Sequence, residues 1–273
     1  MMEHLFNKLV SRLEARLAVS RLRIFKTVYL NFRLLPFRVA WRLPVFVYGP
    51  TKFYSLAGTV EIQGPIKRGM IKLGRECGFF SAQKKFSMIL LDAGTKICFQ
   101  GPCIFDVGYV LRLTDSAYVE LGKHTCFGSG VKIIGERSIK IGDYARIAYD
   151  TCIMDSNMHF TVDITSNLVA DKAGEIIIGK YNWIAGGCLV RKGAVTKDYT
   201  IAASKSLLNK DYTRLEGDFL TLAGSPAKVV DTRHRRIFST QVDAELSQFF
   251  RENGGGVQQL TPEQLAVSFI RSE

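Results

Sequence analysis

The chain has 273 residues, of which 47% are hydrophobic, 23% are charged and only 7 are proline. This composition excludes a globally disordered chain, because so much apolar surface can form a sizeable core. Lys and Arg number 37 against 25 Asp and Glu, so the net charge is +12. An excess of this size favours polyanionic partners: nucleic acid, an anionic membrane surface or a phosphate-rich small molecule.

The first fifth of the chain is strongly basic. Residues 1–50 contain nine Lys or Arg and two Glu. Leucines at helical spacing among these charges predict an amphipathic helix over residues 5–35 that ends before Pro36: Leu5, Leu9, Leu13 and Leu17. Two interpretations are open. The helix could contact a membrane peripherally through residues 1–50, or it could cover the open end of the repeat domain that follows it.

No stretch approaches the roughly 20 uninterrupted apolar residues of a membrane span, and the first residues do not match a signal peptide. We therefore expect a cytoplasmic protein that could lie on the inner face of a membrane. The six cysteines form no C-x-x-C pair and lie among apolar neighbours, so we expect them to be buried thiols.

A six-residue period dominates the middle of the chain. Its apolar positions are Leu121, Phe127, Ile133 and Ile139; Ile141, Ile147 and Ile153; Ile178, Ile184 and Val190; and, after a slip of one residue, Val195, Ile201 and Leu207. Weaker repeats precede them at Phe99, Phe105 and Leu111. Six residues suit a short strand and a corner, three of which complete one coil of a triangular parallel β-helix. Ordinary short strands in a sandwich are the alternative.

The period is interrupted at His159. Six residues after Ile153, this imidazole takes the place of the next apolar residue, and residues 160–175 are polar and out of frame. Long loops on regular scaffolds often carry function. An imidazole can accept the proton of a hydroxyl that attacks a carbonyl carbon at neutral pH. His159 is therefore a candidate general base, with Asp155 as the nearest carboxylate to orient it and Asn157 as a second polar group.

Three motifs together resemble those of the hexapeptide-repeat acyltransferases, in particular the sugar O-acetyltransferases. They are Asp155-Ser156-Asn157-Met158-His159, the stretch 178–187 (IGKYNWIAGG) and the stretch 223–230 (AGSPAKVV). The resemblance covers about residues 58–232. It implies an all-β core that is a left-handed parallel β-helix, a homotrimer, and acetyl-coenzyme A bound in a groove between neighbouring subunits.

The resemblance also implies roles for individual residues. His159 would be the general base, and the thioester end of the cofactor would lie near Trp183 and Gly186, with Ala185 at a position where the family commonly has glycine. The pantetheine arm would pass Ala203 toward Asn209 and Lys210, and Lys228 would meet a phosphate. Independently of the resemblance, the mechanism needs a backbone N–H aimed at the oxyanion, and the candidate is the Ala185-Gly186-Gly187 run of an adjacent chain. Trp183 could instead be surface packing, and Lys228 a solvated charge.

Residues 233–273 are predicted to form a helical tail. A short helix is expected at 240–252, a break at Gly254-Gly255-Gly256, and a second helix begins at Thr261-Pro262-Glu263-Gln264, which has an N-cap, a proline at N1 and a glutamine at N3. The domain prediction is therefore a basic helix and lead-in over 1–57, a β-helix over 58–232 and this tail.

These features predict an acetyl-coenzyme A-dependent O-acetyltransferase that acts on a saccharide or lipid-linked glycan, in the synthesis of a cell-surface polysaccharide. A metal is not expected, because only His124 and His159 lie in the repeat and a zinc site of this fold would need three imidazoles. Nucleic-acid binding is not expected either. Two alternatives stay open: a non-catalytic scaffold subunit, which would need neither His159 nor a cofactor groove, and an N-acetyltransferase that acts on an amino sugar.

Overall fold

The structure is a computed structural model that describes residues 21–76 and 86–269. In these ranges there are four helices: α1 (Ile24–Leu34), α2 (Phe37–Ala40), α3 (Thr240–Glu252) and α4 (Pro262–Ser268). Of the helix predicted over residues 5–35, the structure shows the part Ile24–Leu34 as α1, which ends before Pro36. Residues 21–23 are not helical, because Leu22 forms an antiparallel bridge with Tyr48, and residues 5–20 lie outside the described residues. No helix of the described ranges is long and apolar enough to cross a membrane.

The strands form three sheets that are the faces of a triangular coil. Face 1 has the order β1-β4-β7-β10-β13-β16-β18-β20-β21, face 2 the order β2-β5-β8-β11-β14-β17-β19 and face 3 the order β3-β6-β9-β12-β15. The strands are β1 (Val45–Val47), β2 (Thr51–Leu56), β3 (Thr59–Ile62), β4 (Ile71–Leu73), β5 (Ser87–Leu91), β6 (Lys96–Phe99), β7 (Cys103–Phe105), β8 (Val110–Leu113), β9 (Tyr118–Leu121), β10 (Thr125–Phe127), β11 (Lys132–Gly135), β12 (Ser138–Ile141), β13 (Arg146–Ile147), β14 (Cys152–Met154), β15 (Ile176–Ile178), β16 (Trp183–Ile184), β17 (Leu189–Arg191), β18 (Ile201–Ala202), β19 (Leu207–Leu208), β20 (Thr221–Gly224) and β21 (Ala227–Asp231).

Neighbouring strands on each face are parallel, except for the antiparallel pair β20–β21 that ends face 1. From β1 to β17 the strands visit faces 1, 2 and 3 in turn, so each full circuit adds one strand to every face. After β17, face 3 continues through the isolated parallel bridges Ile177–Val195 and Val195–Asp211. This winding confirms the predicted parallel β-helix of hexapeptide repeats. Two strands upstream of residue 58 already belong to it, since β1 pairs with β4 and β2 pairs with β5.

The predicted repeat positions fill the interior, with one correction. Ile133, Ile147 and Ile184 are buried, as is the upstream Phe105. After Val190 the inward positions are Thr196, Ala202 and Leu208, which continue the six-residue period without a slip. The predicted frame Val195, Ile201 and Leu207 is therefore wrong, and these three residues are only half-buried. Small side chains occupy two inward positions there, and the larger aliphatic residues beside them produced the apparent slip.

Glycines that follow inward residues let successive coils approach closely at one corner. A Cβ on Gly122, Gly142 or Gly179 would lie 2.4–2.6 Å from backbone atoms of the next coil. None of the three has a positive φ, so close backbone approach is the reason for glycine here. Two residues further on, a column of stacked rings occupies left-handed positions, with centroids 4.8–5.1 Å apart: His124, Tyr144, Tyr181 and Tyr199.

Helix α1 covers the open end of the coil. Among the described residues no strand pairs with the outer edge of β1, and two helix side chains form hydrogen bonds there instead. The amide of Asn31 donates to the carbonyl of Val45 and accepts from its N–H, while the hydroxyl of Thr27 accepts from the N–H of Val47. Leu30 and Leu34 pack onto the core below. Of the two interpretations of this segment, capping is therefore realised by its described part.

The tail contains the two predicted helices. Helix α3 begins after Ser239, whose hydroxyl accepts from the N–H of Val242, and α4 begins with a capping box between Thr261 and Gln264. Of the six cysteines, Cys98, Cys103 and Cys188 are buried, Cys126 and Cys152 are half-buried, and all five are free thiols. Burial raises the pKa of Cys103 to about 12. Cys77 lies outside the described residues.

Candidate functional site

The long loop is an arm that leaves the coil at the edge between faces 2 and 3. Strand β14 ends at Met154 and β15 begins at Ile176. The arm (residues 156–173) is held at its base by the antiparallel bridge Ser156–Ala173 and at its tip by the bridge Val162–Val169. His159 lies just beyond the base, exposed to solvent. The imidazole is therefore outside the prism interior, and within the described ranges no hydrogen bond or ion pair reaches it.

A cluster of polar side chains fixes the base of the arm. The Ser156 hydroxyl donates to a carboxylate oxygen of Glu136 at 2.6 Å and accepts the N–H of Met158 at 2.9 Å. The ammonium of Lys172 lies 2.9 Å from the same Glu136 oxygen. Burial alone would raise the pKa of Glu136, but the Ser156 hydroxyl and the Lys172 ammonium together hold it below its usual value. The chain next to His159 is thus pinned by a buried carboxylate.

Asp155 has a different set of partners from the one its spacing suggests. It is fully buried, and its two oxygens accept the backbone N–H groups of Glu136, Arg137 and Ser138 at 2.8–2.9 Å. Burial raises its pKa, although the three N–H groups act in the opposite direction. No hydrogen bond joins Asp155 to His159, both of which lie in the described part of the chain. Asp155 therefore holds the turn beneath the arm and does not orient the imidazole.

Asn157 is exposed beside His159, and its side-chain oxygen accepts from the Arg191 guanidinium at 2.9 Å. The same guanidinium donates to the carbonyl of Ser156 at 3.2 Å. Arg191 ends the strand β17, which pairs with β14 on face 2. Arg191 thus connects Ser156 and Asn157 to the next coil, and Asn157 helps to hold the arm in place.

A groove crosses the outside of face 1. Its walls come from β10, β13 and β16 and from the corner toward face 2, with Arg236 of the tail at one side; the lining includes Asp106, Cys126, Ser129, Arg146, Tyr149 and Trp183. Trp183 is 37% exposed, and its neighbour Ile184 is buried, so the indole points outward. The Arg236 guanidinium lies 5.3 Å from the centre of the Trp183 ring. An aromatic platform with two guanidiniums suits a ligand that carries both a flat ring and negative charge.

The other predicted cofactor residues fall at two different edges. Ala185 and Gly186 turn the corner between faces 1 and 2 next to this groove, and Ala203 occupies the same corner one coil later. Lys228 is exposed on β21 at the far end of face 1. Asn209 and Lys210 are instead exposed at the edge between faces 2 and 3, the edge from which the arm with His159 leaves. The structure therefore does not bring all of these residues together within one chain.

Within the run Ala185-Gly186-Gly187, the outer two backbone N–H groups are used. That of Ala185 donates to Ala202 and that of Gly187 donates to Tyr149, both at 2.9 Å. In the described part of the chain, the N–H of Gly186 has no protein acceptor. It is therefore the one of the three that is left for a ligand. In the described part of the chain the same pattern recurs at two other corners, where the N–H groups of Ser129 and Ser204 have no backbone acceptor.

His159 and Trp183 lie on opposite sides of the coil. Trp183 points out of face 1, and His159 lies beyond the edge shared by faces 2 and 3, which is the edge opposite face 1 in a triangular cross-section. The interior between them is filled by the buried column that contains Ile147, Ile153 and Ile184. A ligand could contact both side chains only if they came from different copies of the chain.

No protein-family model and no curated protein matches the chain. The solved structures similar to it include the polysialic acid-specific acetyltransferase NeuO, at 17% identity and a TM-score of 0.42, over 77% of this chain and 99% of that one. The polysialic acid O-acetyltransferase OatWY has the same identity and TM-score, over 74% and 97% of the two chains. AntD, an N-acyltransferase from Bacillus cereus, is 14% identical with a TM-score of 0.41, over 77% and 89%.

The chain has a parallel β-helix fold built from hexapeptide repeats. At these identities and TM-scores the similarity concerns the fold, and the activity has to be argued from the geometry of this chain. Sequence reasoning missed Arg146, Tyr149 and Arg236 of the groove. Arg146 could have been found, because it precedes the inward Ile147 as Cys126 precedes Phe127 and Trp183 precedes Ile184, and these three outward residues are paired in adjacent strands. Arg236 comes from the tail, outside the repeat.

Proposed function

We propose that the protein is an acetyl-coenzyme A-dependent O-acetyltransferase that transfers an acetyl group to a saccharide hydroxyl, and that its active site forms between two copies in a homotrimer. The observation that carries the proposal is the exposed His159 at the longest interruption of the coil between β5 and β19, which separates β14 from β15. The resemblance of residues 155–159 to the acyltransferase motif is a second argument for His159. The acceptor class follows from the same resemblance, and polysaccharide synthesis is the process in which such an acceptor is made.

His159 acts as the general base. A sugar hydroxyl donates its proton to a ring nitrogen as the oxygen attacks the thioester carbonyl carbon. The tetrahedral adduct then collapses, the carbon–sulfur bond breaks, and the imidazolium returns the proton to the coenzyme A thiolate. A thioester is already activated, so no covalent acyl-enzyme is needed. The backbone N–H of Gly186 in the adjacent copy is the proposed donor to the oxyanion.

The residues of the groove fit a coenzyme A molecule. Phosphates favour guanidinium groups, and Arg146 and Arg236 both line the groove. The indole of Trp183 gives a flat apolar surface beside them. Asn209, Lys210 and the arm of one copy would then face the groove of the next. The arm supports a contact between copies, because its large apolar side chains are exposed: Phe160, Val162, Ile164, Leu168 and Val169.

The experiment measures coenzyme A release and acceptor acetylation over a panel of saccharides. His159→Ala should lower turnover by about 10²–10⁴-fold, the usual contribution of a general base. His234→Ala is the matched control, because His234 is 74% exposed and pairs with Asp231 outside the coil. Full turnover by His159→Ala would overturn the proposed base. Failure of the wild type to bind coenzyme A in calorimetry would favour the scaffold, and an alkali-stable product would make the acceptor an amine.

A further inference from the structure

Helix α1 is apolar on both sides. Its inner side packs Leu30 and Leu34 onto the coil. Its outer side carries Phe25, Tyr29 and Phe32, of which Phe25 is 91% exposed. Capping explains the inner side only. A helix that is apolar all round is ordinarily buried, so its outer side requires a second apolar environment.

The next turn of chain extends this outer side. Phe37 and Trp41 are 69% and 73% exposed, and each packs edge to face with Phe32, with ring centroids 5.7 and 6.4 Å apart. Together, Phe25, Tyr29, Phe32, Phe37 and Trp41 form what we call the aromatic cap surface. Clustered exposed rings of this extent mark interaction sites, and Trp and Tyr favour the boundary between lipid and water.

The chain segment that carries the aromatic cap surface has charged residues of one sign. From residue 15 to residue 60 the sequence has eight Lys or Arg and no Asp or Glu. Arg33, Arg38 and Arg42 are exposed, and within the described ranges no hydrogen bond or ion pair involves their guanidinium groups. Guanidiniums beside exposed aromatic rings are the combination that binds the headgroup region of an anionic bilayer.

We propose that the aromatic cap surface docks on a lipid bilayer that contains anionic lipids. The positive charge of this surface favours a bilayer over two other possible partners, a second copy of the chain and residues 1–20. A second copy facing this surface would bring arginines against arginines with no carboxylate between them. Residues 1–20 carry three basic and two acidic residues, so they would not neutralise the surface either. Anionic headgroups supply the missing negative charge, and the acyl boundary accommodates the rings.

Docking by the aromatic cap surface would fix the distance between the candidate active site and the membrane. On face 2, β14 is the fourth strand beyond β2, so strand spacings of about 4.8 Å put the base of the arm about 19 Å from the capped end. This step rests on the proposed function. An acceptor within that reach of the surface would be a glycan still attached to a lipid, or the first sugars of a growing chain.

The test is co-sedimentation of the full chain with vesicles of phosphatidylcholine, with and without phosphatidylserine. The wild type should sediment with the vesicles that contain phosphatidylserine. Arg33→Gln/Arg38→Gln/Arg42→Gln should weaken that binding by about 100-fold, since each arginine near an anionic surface contributes about fivefold. Lys132→Gln/Arg214→Gln/Arg251→Gln removes the same charge elsewhere and should bind more than tenfold better than the cap variant.

The aromatic variant Phe32→Ser/Phe37→Ser/Trp41→Ser separates the remaining outcomes. We expect it to lose vesicle binding by at least about tenfold while its thermal unfolding stays cooperative. Undiminished vesicle binding by this variant would overturn the proposal. So would a wild type that sediments with neither kind of vesicle. A changed sedimentation coefficient with unchanged vesicle binding would make the surface an interface between copies. Vesicle binding does not depend on acyl transfer, so either proposal can fail without the other.

Discussion

Asn31 and Val45 form a two-point contact that replaces a missing β-strand. The side-chain amide donates to the Val45 carbonyl at 2.7 Å, and its oxygen accepts the Val45 N–H at 3.1 Å. Because both backbone groups are buried at the first edge of face 1, losing Asn31 leaves them without partners. We expect Asn31→Ala to lower the free energy of unfolding by about 2–3 kcal/mol in urea denaturation.

Arg33→Ala on the exposed side of the same helix is the control for this prediction, and its effect should be within about 0.5 kcal/mol. Equal stability of Asn31→Ala and the wild type would show that α1 does not hold the end of the coil.

Glu136 gives the base of the arm a dependence on pH. Its pKa is held below the usual 4.5 by the Ser156 hydroxyl and the Lys172 ammonium, against the effect of burial. A depressed carboxyl pKa contributes stability above the unfolded value, and the contribution disappears as the pH falls through the folded value. At pH 7 we therefore expect Glu136→Gln to lower the melting temperature by about 2–4 °C.

The difference in melting temperature between Glu136→Gln and the wild type should narrow below pH 4.5. Glu263→Gln on helix α4 is a comparison in an exposed position. If the difference in melting temperature between Glu136→Gln and the wild type stays constant from pH 7 to pH 3, the charge of the Glu136 carboxylate does not stabilise the arm.

Gly186 lies against the ring of Tyr149 at the corner beside the groove. A Cβ at this position would lie 2.6 Å from the ring, and the ring is partly exposed, so it can turn away. We expect Gly186→Ala to fold with a loss of about 1 kcal/mol and to bind coenzyme A about tenfold more weakly in calorimetry, because the groove wall moves. Gly174→Ala has a tolerable contact of 3.4 Å and serves as control. Unchanged coenzyme A affinity would show that coenzyme A does not bind in the groove.

The exposed apolar residues of the arm predict its effect on assembly. If the arm packs against a second copy, Ile164→Ser/Leu168→Ser should shift the proposed trimer toward monomer in analytical ultracentrifugation. Val257→Ser/Leu265→Ser removes similar exposed apolar area from the tail and should leave the distribution as it is. A trimer that resists the arm variant at low concentration would show that the arm does not contribute to the interface.

The repeat could be predicted from sequence because one inward aliphatic residue per strand leaves a period that no other common element shares. The prediction failed after Val190, where Thr196 and Ala202 occupy inward positions that a larger neighbour obscured. The start of the coil was missed because the last inward residues of β1 and β2, Val47 and Leu56, are not followed directly by glycine as Leu121 and Ile141 are. Sequence spacing placed Asp155 near His159, but it could not show that three backbone N–H groups already occupy its oxygens.

The position of His159 could be predicted because an interruption of a regular pattern is visible in sequence. The groove could be predicted only in part. Trp183 stood in a recognisable motif, but Arg236 reaches the groove from a tail segment some fifty residues later, and no local pattern reports such a contact. The separation of His159 from Trp183 also needed the structure, because it depends on which faces meet at which edge.

A complementation experiment tests the central claim, that one site uses His159 of one copy and the groove of another. Chains with His159→Ala and chains with Trp183→Ala/Arg236→Ala would be co-expressed with different affinity tags, and mixed oligomers purified through both. In any mixed trimer one interface pairs an intact imidazole with an intact groove, so we predict about a third of wild-type acetyl transfer. Mixed oligomers no more active than either variant alone would contradict the claim.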